Sequence, residues 1–479
     1  MKHFDVIIVG AGLSGIGAAC QIQKNCPGTS YQILESREVI GGTWDLFRYP
    51  GVRSDSDMYT LGYSFRPWRN PAAIASGREI LKYIQETATE HDVQQNIRFG
   101  HKVVEASWNS REGCWTLTVT TDGEHQTFTC GFIFSCSGYY RYDRGYKPDL
   151  PGQELFKGKI VHPQKWSDKV IYKNKKVVII GSGATTVTMA PELAKEAESV
   201  VILQRSPSYL WDRSSEDAVA KNLSRVLPNS WVYNLARWKN ILFMSGSYSL
   251  AKTKPAPVRK YLLKLVKTQI EESCETEKHF NPDYNPWDQR VCVVSDGDLF
   301  KAIRDGRIEM VTDGIKSFTP EGLVTKSEQE LKADLVVMAT GLELEFMGGI
   351  KLKVDGKTLS PSELTAYRGV MLSDVPNLAI WMGYTNSSWT LKAELTGKFI
   401  CRLLKHMRKN NTQRVVPRMQ NPGMDKKAFM DLTSGYVQRS SDQFPNQGKE
   451  NPWRIHQSFF RDYIDLNLGK LQDGVLEFD

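Results

Sequence analysis

Two glycine-rich stretches are the residues best suited to hold a charged ligand. The first reads G-A-G-L-S-G, with Gly10, Gly12 and Gly15 spaced as in a dinucleotide-binding turn, and Glu35 lies 20 residues after Gly15. Gly10 permits a tight turn, Gly12 lets the backbone approach a pyrophosphate, and Gly15 lets helix and strand pack closely. Glu35 can accept hydrogen bonds from ribose hydroxyls. The stretch predicts a dinucleotide site, with a glycine turn of no function as the alternative.

The second stretch, G-S-G-A-T-T, differs from the first at its third position. Gly181 and Gly183 are retained, but Thr186 stands where Gly or Ala is usual. A β-branched residue there requires a slightly wider gap between helix and strand. The next strand ends in Q-R-S instead of an acid, and Arg205 can pair with a 2′-phosphate that a carboxylate would repel. The first loop is therefore predicted to bind a dinucleotide without a 2′-phosphate and the second NADPH, with a merely surface-exposed Arg205 as the alternative.

The elements that position these loops follow from the apolar pattern. Short apolar runs at residues 4–9 and 176–180 precede the loops and are typical of buried parallel strands. Residues 31–34 and 97–104 are also predicted to form strands. We therefore predict an α/β fold with two Rossmann-like dinucleotide-binding domains and a helical insert in the NADP domain. The predicted segments are 1–145 (FAD domain), 146–213 (NADP domain), 214–284 (helical insert), 285–338 (NADP domain, second segment) and 339–479 (FAD domain, second segment).

Composition excludes several classes of function. The hydrophobic fraction is 41% and the charged fraction 24%, as in ordinary globular proteins with a real core. The net charge is +8, but the basic residues are spread along the chain, so we expect no nucleic-acid partner. The eight cysteines have no C-x-x-C or C-x4-C spacing, so we expect no metal site and no redox pair. Scattered cysteines, together with no signal peptide and no apolar run of about 18 residues, predict a cytoplasmic location.

A third stretch, residues 41–55, carries a longer pattern. It reads G-G-T-W-D-L-F-R-Y-P-G-V-R-S-D and resembles the Baeyer–Villiger flavoprotein monooxygenases, whose pattern is [AG]-G-x-W-x4-[FY]-P-[GM]-x3-D. An aromatic-rich loop packed on the core is the alternative. Every fixed position is filled, by Gly41, Gly42, Trp44, Tyr49, Pro50, Gly51 and Asp55.

The segment between the two loops matches a second pattern of that family, F-x-G-x3-H-x3-W. Phe156, Gly158, His162 and Trp166 fill its fixed positions, although Ser167 stands where Pro or Asp is expected. Heteroatom-oxidising flavin monooxygenases usually have Tyr or Phe in the last position, so the tryptophan favours the Baeyer–Villiger side. The resemblance implies a hinge in which the histidine has a conformational role. A hydrogen-bonded structural histidine is the alternative.

The resemblance extends from residue 5 to about residue 471. It is to the class I Baeyer–Villiger flavoprotein monooxygenases, and among them to the ethionamide-activating subgroup. It implies FAD, NADPH and O₂ as reactants and insertion of one oxygen atom next to a ketone carbonyl, giving an ester or lactone. Sulfoxidation of thioethers or thioamides is implied as an additional activity. The alternative is a flavin monooxygenase that oxygenates nitrogen or sulfur without ketone activity; a flavin–disulfide reductase and a non-catalytic redox sensor are more distant readings.

The same resemblance assigns the catalytic residues. Arg290, in N-P-W-D-Q-R-V-C-V-V, matches the active-site arginine of these enzymes. It implies a permanent cation that stabilises a C4a-peroxyflavin anion and then the oxyanion of the tetrahedral adduct. Asp55 is expected near the flavin, paired with Arg290 and tuning its charge. An ordinary Arg–Asp ion pair and a turn aspartate are the alternatives.

The predicted cofactor-binding residues fall into two groups, and Val103 is assigned beside the adenine by analogy with two-dinucleotide flavoproteins. The first group is Gly10, Gly12, Ser14, Gly15, Glu35, Gly42, Thr43, Trp44, Asp45, Leu46, Arg53, Ser54, Asp55 and Val103. The second group is Gly181, Ser182, Gly183, Ala184, Thr185, Thr186, Arg205 and Ser206.

The insert contains a basic amphipathic pattern at residues 258–272. Leucines and a valine alternate there with lysines and an arginine. A surface helix packed on the core is the main interpretation, and weak peripheral membrane contact is the alternative. The oligomeric state and the natural ketone are left open.

Overall fold

Two separate sheets dominate the computed structural model, which describes residues 2–271 and 273–479. The first sheet begins at the N-terminus, where a strand, a glycine loop and a helix follow one another. The elements of this first segment are β1 (Lys2–Val9), α1 (Leu13–Asn25), β2 (Tyr31–Leu34), α2 (Thr43–Leu46), α3 (Met58–Leu61), α4 (Gly77–Glu90), β3 (Ile97–Arg98), β4 (Lys102–Asn109), β5 (Cys114–Thr121) and β6 (Glu124–Ser135).

The centre of the first sheet is parallel. β1 lies between β2 and β6, and β3 extends the sheet beyond β2. Val6, Ile7 and Ile8 are fully buried because both faces of β1 are covered. This explains why β1 reads as a continuous apolar run and not as an alternating one. The carboxyl ends of these strands carry the first glycine loop.

The second segment builds the other parallel sheet. Its elements are β7 (Lys159–Val161), β8 (Lys176–Ile180), α5 (Ala184–Leu193), β9 (Ser199–Gln204), β10 (Leu210–Arg213), α6 (Ala218–Leu223), α7 (Asn229–Thr253), α8 (Pro255–Ile270), α9 (Thr276–Phe280), β11 (Cys292–Ser295), α10 (Asp298–Arg304), β12 (Ile308–Thr312), β13 (Ile315–Thr319), β14 (Gly322–Thr325), β15 (Glu330–Lys332) and β16 (Leu335–Met338). Its strand order is β12-β9-β8-β16-β7, all parallel. Helices α6 to α9 interrupt it as an insert.

The third segment returns to the first sheet. Its elements are β17 (Lys351–Val354), β18 (Lys357–Leu359), β19 (Ala366–Tyr367), β20 (Met371–Leu372), β21 (Leu378–Ile380), α11 (Trp389–Asn410), β22 (Val415–Pro417), β23 (Lys426–Ala428), α12 (Gly435–Gln438), β24 (Asn446–Gly448), α13 (Phe459–Tyr463) and β25 (Leu476–Phe478). β21 pairs in parallel with β6, and β17 with β4. The chain thus forms two Rossmann-like units, and the predicted fold class is confirmed. The predicted domain boundaries stay a prediction.

Most predicted elements appear, with shifted ends. The predicted single strand at residues 97–104 is wrong, because Gly100 adopts a positive φ of 65° and separates β3 from β4. The basic helix starts at Pro255, ahead of the predicted residue 258, because a proline is favourable in the first turn. It ends at Ile270, and the predicted end at residue 272 lies outside the described residues.

None of the helices that the structure describes combines the length and apolar character needed to cross a bilayer.

Candidate active site

One continuous cavity joins the first glycine loop to Arg290. Its volume is about 800 Å³, within the range of small-molecule and cofactor sites. It opens at the carboxyl ends of the parallel strands, where such folds bind ligands. The predicted residues that line it are Gly10, Gly12, Ser14, Glu35, Gly42, Thr43, Trp44, Leu46, Arg53, Ser54, Asp55, Val103, Ala184, Thr185 and Arg290.

Two glycines of the first loop, Gly10 and Gly15, leave no space for a side chain. A Cβ at Gly15 would lie 1.9 Å from the carbonyl oxygen of Gly10, and Gly10 itself has a φ of 102°. Only glycine fits such close backbone approach. The buried Glu35 carboxylate accepts hydrogen bonds from the backbone N–H groups of Ala11 (2.6 Å) and Arg37 (2.9 Å). Burial raises the pKa of Glu35, and these hydrogen bonds oppose that rise.

The double-glycine turn at residues 41–42 packs directly on this loop. A Cβ at Gly12 would lie 3.5 Å from the Cα of Gly42, so the two turns are in van der Waals contact. Arg37 holds the turn by donating to the carbonyl oxygen of Gly42 (3.1 Å) and by pairing with Asp45. The carboxylate of Asp45 also accepts from Arg48 at 2.8 Å. The buried side chain of Asp45 therefore holds the turn from behind, and its assignment as a cofactor-binding residue stays a prediction.

Arg290 lies at the opposite side of the cavity, two residues before β11. Its Nη2 donates to the hydroxyl of Tyr139 at 2.9 Å, and its buried Nε has no hydrogen-bond partner in the described chain. The predicted ion pair with Asp55 is wrong: no described carboxylate reaches ion-pair distance of this guanidinium, and Asp55 is exposed at the cavity edge. Water can solvate that carboxylate, so burial does not force it onto a cation.

Tyrosines surround the guanidinium in place of an acid. The hydroxyls of Tyr139 and Tyr140 are 2.9 Å apart, and Tyr436 lies close enough to influence Arg290. Tyr139, then Tyr436, raise the pKa of Arg290 well above its ordinary value, and Asp55 adds a smaller contribution in the same direction. Arg290 is thus a permanent cation with one unpaired N–H in the cavity region.

A chain of contacts connects Arg290 to the first loop. The ring of Tyr139 stacks on Trp389, with centroids 5.2 Å apart and planes at 14°. The indole Nε1 of Trp389 donates to the hydroxyl of Ser14 at 2.7 Å. Ser14 belongs to the first loop, so the arginine and the loop are positioned by one connected set of side chains.

The second glycine loop meets the cavity only at the start of its helix. Ala184 and Thr185 line the cavity, whereas Gly181, Ser182, Gly183 and Thr186 do not. The hydroxyl of Thr186 is buried without a partner in the described residues. Arg205 and Ser206, which follow β9, are exposed.

Val103, Arg53 and Ser54 are three further residues predicted to bind a cofactor, and their side chains have different surroundings. Val103 is buried and lines the cavity at the far side of the first loop. Arg53 pairs with Asp298 of α10 (2.6 Å), which ties the first segment to the second. The hydroxyl of Ser54 donates to the carbonyl oxygen of Ser56 at 2.7 Å, so its polar atom is already engaged.

The hinge segment joins the two units through His162. Its Nε2 lies 3.0 Å from the carbonyl oxygen of Gly341, and its Nδ1 accepts from the backbone N–H of Gln164. This pattern fits a neutral ring with the proton on Nε2, and burial lowers the pKa of His162 accordingly. Phe156 packs on Phe318 with centroids 5.9 Å apart.

Gly158 and Trp166 complete the hinge. A Cβ at Gly158 would lie 2.5 Å from the carbonyl oxygen of Asp334, so a side chain is excluded. Trp166 is buried in the core of the second unit beside Tyr172. None of these hinge side chains lines the cavity.

Sequence reasoning missed the aromatic residues that hold Arg290. Tyr139 and Tyr140 follow the carboxyl end of β6, beside the first loop, and that position was the available signal. Trp389 gave no such signal, because its contact to Ser14 spans 375 residues of sequence.

Comparisons with known proteins agree with this geometry. The family model described as FMO-like, flavin-binding monooxygenase-like, matches residues 3–428. The FAD-containing monooxygenase EthA of Mycobacterium tuberculosis (strain ATCC 25618 / H37Rv) is 48% identical, over 100% of this chain and 98% of that protein. The probable FAD-binding monooxygenase AlmA of Acinetobacter baylyi (strain ATCC 33305 / BD413 / ADP1) is 46% identical, over 100% and 96%.

Solved structures share the fold at lower identity. An oxidized steroid monooxygenase bound to NADP superposes with a TM-score of 0.78 at 18% identity, over 100% of this chain and 99% of the other. OTEMO in complex with FAD and NADP gives a TM-score of 0.75 at 19% identity, over 99% of each chain. On the family match and the relatives at nearly half identity, the chain belongs to the flavin-binding monooxygenase-like family.

Proposed function

We propose that the protein is an FAD- and NADPH-dependent monooxygenase of the Baeyer–Villiger type. The reaction converts a ketone, O₂, NADPH and a proton into an ester or lactone, NADP⁺ and water. The observation that carries the proposal is Arg290: a permanent cation beside the cavity, with no carboxylate partner among the described residues and with its buried Nε–H unpaired. An ion pair in the resting protein would neutralise this charge. An unpaired guanidinium can instead stabilise negative charge on a bound substrate.

The first loop fits the flavin dinucleotide. Gly12 caps α1 without a side-chain hydrogen bond, so a pyrophosphate can approach the bare N–H groups at the start of that helix. Glu35 keeps acceptor capacity for ribose hydroxyls beyond its two backbone hydrogen bonds. When bound, reduced FAD supplies the electrons that activate O₂.

The second loop is proposed to hold NADPH. Ala184 and Thr185 open α5 toward the cavity, so its N-terminus can face the pyrophosphate. Arg205 lies exposed after β9, free to pair with a 2′-phosphate. His162 would tie this unit to the first by its contact with Gly341.

Arg290 acts on the ketone. Its guanidinium can donate to the carbonyl oxygen and stabilise the negative charge that develops there. Tyr139 fixes the guanidinium's orientation through the 2.9 Å hydrogen bond. Asp55 adds a smaller contribution to the raised pKa of Arg290 by its charge, without direct contact.

The test is replacement of Arg290. Arg290→Ala should keep FAD and still oxidise NADPH, but lose ester formation from a methyl ketone by about 100-fold or more. Arg111→Ala, at an exposed turn far from the cavity, is the matched control and should retain activity. Ketone oxygenation that survives in Arg290→Ala contradicts the assignment.

Sulfoxidation is proposed as an additional activity, because electrophilic oxygen transfer to sulfur needs no stabilised carbonyl oxyanion. A product assay with a methyl ketone and a thioether separates the two chemistries. Arg290→Ala should lower ester formation far more than sulfoxide formation. A wild-type protein that oxygenates only the thioether is a heteroatom monooxygenase, and the ketone proposal fails.

A further inference from the structure

The positive charge of the chain is concentrated in two helices of the insert, α7 and α8. Residues 229–270, which span α7 and α8, contain eight Lys and Arg residues and no Asp or Glu. The net charge of the whole chain is also +8, so everything outside this segment is formally neutral. A charge excess confined to one segment points to an anionic partner at that segment.

Only part of this charge is used inside the protein. Arg237 pairs with Glu394, and two lysines, Lys239 and Lys252, pair with aspartates. The exposed lysines of α8 and of the residue before it form no ion pair within residues 2–271 and 273–479; they are Lys254, Lys260, Lys264 and Lys267. These cations are free to meet an external anion.

Helix α7 carries an exposed apolar stripe. Trp231, Leu235, Trp238 and Leu242 recur every three to four residues, so they share one face of the helix. Their exposed fractions are 65%, 48%, 47% and 58%. Monomeric proteins rarely expose such contiguous apolar surface without a binding role.

The C-terminal tail extends the stripe. Trp238 packs on Phe459 at the start of α13, with ring centroids 5.9 Å apart. Phe460, Tyr463 and Ile464 of that helical region are exposed. The apolar surface therefore includes residues from two parts of the chain more than 200 positions apart, and it is fixed by their mutual packing.

We propose that this stripe docks on an anionic lipid surface. Tryptophan and tyrosine favour the membrane–water boundary, the aliphatic residues favour the acyl region, and free lysines favour anionic headgroups. A second copy of the chain fits less well, because two faces with this excess of positive charge repel. From the sequence, weak membrane contact is the alternative for residues 258–272, most of which lie in α8. In the structure, the exposed apolar stripe lies on α7, and α8 supplies the lysines that would attract anionic headgroups.

The test uses the full-length, FAD-loaded protein and sedimentation with vesicles. We expect binding to an equimolar mixture of phosphatidylcholine and phosphatidylglycerol, and weak binding to phosphatidylcholine alone. Leu235→Ser with Leu242→Ser should weaken binding to the mixed vesicles by about tenfold, and so should Lys260→Glu with Lys264→Glu. High salt should weaken binding of the wild type.

Two controls keep the outcome decisive. Ile171→Ser removes an exposed apolar residue elsewhere, and Lys173→Glu with Lys175→Glu reverses exposed charges elsewhere; all should bind as the wild type. Equal binding by stripe and control variants overturns the proposal. The proposal is also overturned if sedimentation velocity shows a dimer that forms without lipid and is lost in the Leu235→Ser, Leu242→Ser variant. Oxygenase activity is not a readout here, so failure of the proposed function leaves this test intact.

Discussion

The two glycine loops begin alike and then differ. In both, the first glycine has a positive φ and approaches a neighbouring carbonyl oxygen: a Cβ would lie 2.8 Å from that of Cys136 at Gly10 and 2.3 Å from that of Ala339 at Gly181. At the second position they separate. A Cβ at Gly12 would contact Gly42, whereas a Cβ at Gly183 would meet nothing within 4 Å.

The third position completes the contrast. Gly15 has no room for a methyl group, but Thr186 is accommodated with its hydroxyl buried and unpaired. The strand after the first loop ends in a buried, hydrogen-bonded Glu35, and the strand after the second leads to an exposed Arg205. One loop is enclosed and the other open, which suits a cofactor that stays bound beside a coenzyme that exchanges in each turnover.

The sharpest way to break this comparison is a methyl group at the third glycine. Gly15→Ala places a Cβ 1.9 Å from a backbone oxygen, so the turn must open and flavin should be lost. Gly183→Ala adds a methyl group at the second position of the other loop, where space is free, and as the control it should retain flavin. The ratio of flavin to protein absorbance measures both. A Gly15→Ala protein that is folded and fully loaded contradicts the enclosed description.

The next effect concerns the open loop. Arg205→Ala should raise the KM for NADPH by about 10- to 100-fold, because a charge-assisted contact to the 2′-phosphate is lost. The KM for NADH should not change, since NADH lacks that phosphate. Steady-state kinetics with both coenzymes measure this. Arg225→Ala, an exposed arginine of the insert, serves as control, and equal shifts for both coenzymes would contradict the role.

A smaller effect is expected at Thr186. Thr186→Val removes a buried hydroxyl that has no partner and keeps the branched shape, so the free energy of unfolding should rise by about 1 kcal/mol. Chemical denaturation monitored by circular dichroism measures it. Thr188→Val is the informative control, because the Thr188 hydroxyl donates to the carbonyl oxygen of Ala184 (3.0 Å) and its loss should not stabilise.

The smallest effect is on the pH dependence of the link between the two units. The pKa of His162 is lowered from 6.5 in the fold, mainly by burial, so the unfolded chain binds its proton first as pH falls. The contribution of neutral His162 to the stability of the fold is complete above pH 6.5. It is lost as the pH falls from 6.5 toward the lowered pKa. His162→Gln should remove less than about 1 kcal/mol of this pH dependence. Unfolding free energies across this range, compared with His125→Gln at an exposed site, measure it.

Much of the fold could be predicted because its signals are local. β2 and β8 occupy the predicted residues, and both glycine loops follow their strands. The prediction of one strand at residues 97–104 is wrong, because Gly100 interrupts a run that looks continuous in the sequence. Predicted residues near the first loop line the cavity. The buried Asp45 is instead paired with Arg37, a contact that the motif does not reveal.

The sequence by itself determined the two loops and the family, and it singled out Arg290 as the candidate catalytic cation. Glycine spacing and strand patterning act over a few residues, and such sterics can be read directly. Only the tertiary structure decided what surrounds that cation. Tyr139, Arg290 and Trp389 meet because the chain crosses between two sheets and returns. Long-range packing selects such partners, so Arg290 contacts Tyr139, and Asp55 lies at the exposed edge of the cavity without pairing to it.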